Sequence, residues 1–127
     1  MTADRVDSAG SEIAVSWDVG SCSNDEYELL FGSLTGVDSI VPTGAECGLS
    51  TSGSHTWNSV PSGDLWFLIV GQDSAGTEGS WGTDSSGAER GGGVVSGFCG
   101  TSLRSTEGVC GFESAGTRGS GSRNSSR

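Results

Sequence analysis

Apolar and polar residues alternate at period two as soon as the chain leaves its first ten residues. In EIAVSWDVG, Ile13, Val15 and Trp17 point one way, and Glu12, Ala14, Ser16 and Asp18 point the other. That is the signature of a strand with one buried face. DEYELLFGSL repeats it, with Tyr27, Leu29 and Phe31 on one face and Glu26, Glu28 and Leu30 on the other. VDSIVPTG predicts a short edge strand interrupted by Pro42, and GAECGLSTSG predicts a loop. HTWNSVP predicts a fourth strand with His55 and Trp57 on a common, inward face. LWFLIVG is the fifth and most apolar, and EGSWGTD is a sixth. Beyond Ser85, SSGAERGGGVV reads as loop, and the FESAGTRGSGSRNSSR end is low in complexity. Such a tail holds too little apolar surface to offset its ordering entropy, so at least its last ten residues are expected to be mobile.

Composition agrees with strands. Twenty-three Gly argue against helices, where each costs roughly 1 kcal/mol relative to Ala. A hydrophobic fraction of 32% places a thin core between Trp17 and Trp81, where the aromatics cluster. Sixteen acidic residues against six basic ones, all Arg, give a net charge of −10. That balance excludes a phosphate-neutralising basic patch, and so nucleic-acid binding, and disfavours anionic membrane surfaces. No apolar run approaches the ~18 residues of a membrane span.

The four cysteines, Cys22, Cys47, Cys99 and Cys110, allow three pairings. No C-x-x-C occurs, and the single His55 is remote in sequence from every Cys, so two disulfides are expected rather than zinc. The favoured pairing joins Cys22 to Cys47 and Cys99 to Cys110. Closing the second loop would contribute roughly 3 kcal/mol. Disulfides imply an oxidising, extracellular compartment. MTADRVDSAG is polar from the start, so an export signal is expected to have been removed and Met1 not to be the natural start.

The order IAVSWD, EYELLFG, HTWNSVPSGDLWFLIVGQDSAGTEGSWG resembles a fibronectin type III domain. The family pattern has a Trp in its second strand, a Tyr opening its third, and an apolar-Pro corner before its sixth. Val60-Pro61 fall on the corner, and Ile69, Gly71, Asp73 and Gly76 on the end of the sixth strand. Leu65 stands where the family usually has Tyr. GTEGSWGTDSSGAER and the added cysteines look like a cysteine-containing variant found in secreted, multidomain bacterial proteins. The resemblance implies an all-β, immunoglobulin-like sandwich over residues 11–90. Residues 1–10 would then hold a first strand that is partial, missing or supplied by another chain. Residues 91–112 would form a disulfide-closed extension, and residues 113–127 a disordered tail.

In that sandwich Leu65, Phe67, Ile69 and Gly71 face inward with Trp17, Tyr27, Leu29 and Trp57. Trp66, Leu68 and Val70, with Leu30 from the neighbouring strand, then form an apolar outer face that needs a cover. Val94, Val95, Phe98, Val109 and Phe112 of the extension are one cover; a second copy, another protein domain or a ligand are others. Trp66 and Trp81 are the candidate platforms for a glycan.

Candidate chemistry is sparse. His55 lacks a nucleophile in the required context, and no G-x-S-x-G elbow precedes a helix. Asp73, Glu78, Asp84 and Glu89 are weak calcium candidates, since DSAGTEGSWGTD lacks a dedicated D-x-D-x-D-G loop. The same four lie in loop positions that suggest no buried, split-pKa carboxyl pair. The expectation is a secreted, non-enzymatic module, without cofactor, serving spacing, adhesion or self-assembly, with carbohydrate binding as the alternative.

Overall fold

The structure, a computed structural model, describes residues 1–20, 24–37 and 39–106. Among them are eight strands and two short 3-10 turns, so the chain is all-β. Strands β1 (Thr2–Arg5), β2 (Ile13–Ser16) and β5 (Ser54–Trp57) form one antiparallel sheet in the order β1-β2-β5. Strands β3 (Glu26–Ser33), β4 (Gly44–Leu49), β6 (Leu65–Gln72), β7 (Thr77–Glu78) and β8 (Leu103–Arg104) form the second, in the order β4-β3-β6-β7-β8.

The centre of the larger sheet is the β3–β6 ladder, unbroken from Glu26↔Gln72 to Ser33↔Leu65. Strands buried on one face alternate, whereas strands covered on both faces read as continuous apolar runs. LWFLIVG is such a run, and every residue from Leu68 to Gln72 is buried. Between the sheets lie Val15, Tyr27, Leu29, Leu49, Trp57 and Ile69, with Leu65 and Phe67 packed at the margin. Trp57, fully buried, has Phe31 at 5.2 Å and Phe67 at 5.7 Å between ring centroids, so aromatic contacts run across the core. The opposite face of the larger sheet carries a second core of Leu30, Trp66, Leu68, Val70 and Trp81.

Four sequence expectations are corrected. A first strand is present in this chain: β1 pairs with β2 from Thr2↔Ser16 to Arg5↔Ile13. All four of its residues are exposed, so it carries no apolar signal. The described residues of VDSIVPTG before Gly44 form no strand; Leu34–Gly36 is a 3-10 turn, Ile40 has φ 48°, and the strand begins only at Gly44. A β-branched residue in the left-handed region, followed closely by Pro42, ends any extended ladder. The expected loop GAECGL is β4, hydrogen-bonded to β3 across a bulge between Tyr27 and Leu29. Finally, of the sixth expected strand, EGSWGTD, only Glu78 lies in a strand, as the second residue of β7, and the outer edge of β7 is taken by β8, which pairs parallel to it from beyond residue 100.

Candidate functional site

The five residues singled out as a binding surface are brought together, but not at the surface. Leu30 and Val70 are fully buried, and Trp66, Leu68 and Trp81 are at most 9% exposed. Phe98, Ile40 and Ala45 pack against them. The cover is therefore the chain's own, with Ile40 and Ala45 from the approach to and start of β4 and Phe98 from the later half. Its Val94 is 66% exposed and takes no part, and Val109 and Phe112 lie outside the described residues.

The cover is tied down by a disulfide that the sequence reading did not favour. Cys47, on β4, is bonded to Cys99, with Cα atoms 5.3 Å apart. This replaces both expected pairings, because each used one of these two cysteines. The two cysteines meet because β4 sits at the edge of the larger sheet and the covering segment crosses that sheet. Cys22 and Cys110 lie outside the described residues.

Around Trp81 the motif GSWGTDSSGAER builds a network of charged and polar groups. Glu89 accepts hydrogen bonds from Ser80 Oγ and from the Trp81 backbone N–H, each at 2.6 Å. It also forms an ion pair with Arg104, which β8 delivers. The Arg104 guanidinium stacks on the Trp81 ring, 3.8 Å from its centroid, and donates to Val94 O at 2.7 Å. Gly91 lets this happen: its φ is +69°, and a Cβ there would overlap the Trp81 ring.

Beneath that layer Glu78 is fully buried. It accepts from Trp81 Nε1 at 3.2 Å, from the Ser96 N–H at 2.7 Å and from Ser96 Oγ at 2.7 Å. Three donors satisfy both of its oxygens without water. Its neighbour is Glu28 of β3, also fully buried. Burial first, then hydrogen bonding to Glu78 and repulsion from Glu78 and Glu26, push the Glu28 carboxyl up to about 9. Burial without a donor of its own therefore favours the neutral form of the Glu28 carboxyl. Sequence reasoning missed this pair. Glu28 had been placed on the same face as Leu30, and any cover over Leu30 and Val70 also covers Glu28.

The four calcium candidates do not converge. Asp73 accepts from the N–H groups of Ala75 and Thr77, closing its own turn. Asp84 does the same for Ser86 and Ala88; the Ser86 hydroxyl and these backbone bonds hold its carboxyl below the usual range. Glu78 and Glu89 are engaged as described. Among the described residues no group of three or more His, Cys, Asp or Glu side chains is placed to hold a metal ion. His55 is partly buried at a sheet edge, with Nε2 3.5 Å from Glu46. A cleft of about 460 Å³ opens at one end of the sandwich, lined by Ile13, Leu34, Trp57, Val60 and Phe67 together with Asp64. No described helix is long and apolar enough to cross a membrane. No family model, no curated protein and no solved structure matches the chain.

Proposed function

We propose that the chain is a secreted, non-catalytic β-sandwich module of the fibronectin type III kind, serving as a spacer or adhesion unit in an extracellular structure. The observation that carries this reading is the sealed outer face: the apolar patch of the larger sheet is covered within the chain and fastened by Cys47–Cys99. A unit that buries its own patch can be repeated along a secreted protein without associating through it. The strand order supports the finer fold assignment, with first, second and fifth strands in one sheet and third and sixth central in the other. Immunoglobulin-type sandwiches distribute their strands in that way. The disulfide is consistent with an extracellular setting.

Carbohydrate binding through Trp66 and Trp81 loses support, since those rings are 8% and 2% exposed and cannot stack on a sugar. Static light scattering on the oxidised protein is expected to give a monomer, and soluble polysaccharides are expected to leave its tryptophan fluorescence unchanged. Ordered filaments would return self-assembly to the module, and saturable quenching by one glycan would make it a carbohydrate-binding domain.

A further inference from the structure

Glu28 and Glu78 sit side by side with no water-exposed surface, on the sheet face that the covering segment closes. Their positions follow from register. Glu28 pairs across to Val70, and two residues along, Gln72 lies between Glu26 and Glu78. Glu78 is bonded to the cover through Ser96, and Ser96 Oγ in turn accepts from the Phe98 N–H at 3.1 Å. Phe98 is the cover's apolar contact with the second core. Apart from Glu78, the Glu28 oxygens have no donor among the described residues, and Gln72 Oε1 has none either. Three acceptor oxygens buried on one face of the sheet lack donors, and one shared proton is the least that lets the site close.

We propose that the Glu28–Glu78 pair is a proton-operated latch, which holds the covering segment on the larger sheet while one proton is shared and releases it when that proton is lost to solvent base. Once Glu28 is ionised, two carboxylates face each other without a cation. Glu26 on the same strand adds repulsion, and Gln72 on β6 offers an oxygen rather than a charge. Arg104, the cation of the covering segment, is held by Glu89 and the Trp81 ring. Water must then enter, and its route is the stretch from Val94 to Phe98, which Glu78 holds through Ser96. Cys47–Cys99 remains as the hinge, so opening bares Leu30, Trp66, Leu68, Val70 and Trp81 without unfolding the sandwich.

The sign follows from linkage. Glu28 binds its proton more tightly in the folded protein than in the unfolded chain. Its contribution is complete below its ordinary value of 4.5, declines as pH rises, and is gone once pH passes about 9. In that window the folding constant falls by at most about tenfold per pH unit.

The test is a reversible titration of the oxidised protein from pH 6 to 10, followed by tryptophan emission and by binding of an apolar dye. Wild type is expected to bind dye increasingly as pH rises and to be open by about pH 9, where the contribution of Glu28 is exhausted. Glu28→Gln, which still donates to Glu78 and cannot ionise, is expected to stay closed throughout. Opening of Glu28→Gln at the same pH, or a wild type that stays closed to pH 10, overturns the proposal. Should Glu28→Gln fail to fold, the protonated-carboxyl band in infrared spectra of the wild type decides. It must persist at pH 7 and vanish with the dye transition; its absence at pH 7 overturns the latch.

Discussion

Arg104→Ala is expected to destabilise the protein by about 3–5 kcal/mol, the cost of breaking a buried ion pair by removing one partner. The Arg104 side chain has no exposed surface, and that of Glu89 is 18% exposed, so solvent screens the pair little. Four interactions disappear together: the bonds to Glu89, to Val94 O and to Arg90 O, and the stack on Trp81. Glu89 keeps Ser80 Oγ and the Trp81 N–H, which hold part of its charge and keep the loss within that range. Arg104→Lys is not expected to rescue it, because an ammonium cannot span a carboxylate and two carbonyls while lying flat on an indole. Denaturant midpoints measure the loss. A change below about 1 kcal/mol would mean that the pair is effectively a surface one.

Replacing Cys47 and Cys99 together by Ser is expected to cost about 4 kcal/mol, from the chain-entropy relation for a 52-residue separation. The effect should also be local. The core between the sheets, around Trp57 and Tyr27, contains neither cysteine, so its strands should survive. The second core, held by Phe98 next to Cys99, should become accessible to an apolar dye already at neutral pH. Equal stability of the Ser variant and the oxidised wild type would show that the cover is held by the carboxylate network alone.

The core between the sheets was legible in the sequence, because Ile13, Val15, Tyr27, Leu29, Trp57 and Ile69 all follow period two. The need for a cover over Trp66, Leu68 and Val70 was legible for the same reason. What escaped were features with no apolar period. Strand β1, TADR, is exposed throughout and is specified by its ladder to β2. Strand β4 is built on GAECGL, whose glycines suggest a loop until the partner strand β3 supplies hydrogen bonds. The disulfide joins residues on two elements that only the tertiary fold brings within 5.3 Å. The buried pair escaped for a simpler reason. Glu28 falls on the face of β3 that carries Leu30, and the reading of that face as an apolar patch needing a cover leaves Glu28 out. Sequence position likewise made Glu78 a turn residue, and only the cover turns it into a core carboxylate.

The central claim is that the later half of the chain closes over the larger sheet and is fastened there by Cys47–Cys99. Disulfide mapping of the oxidised protein, unfolded without reduction, tests it most directly. Cleavage after Glu46, Arg90 and Arg104 places Cys22, Cys47, Cys99 and Cys110 on separate peptides. The account predicts a cross-linked species joining the Cys47 and Cys99 peptides. Peptides joining Cys22 to Cys47 and Cys99 to Cys110 would contradict it, because the covering segment would then have no covalent bond to the sheet it covers.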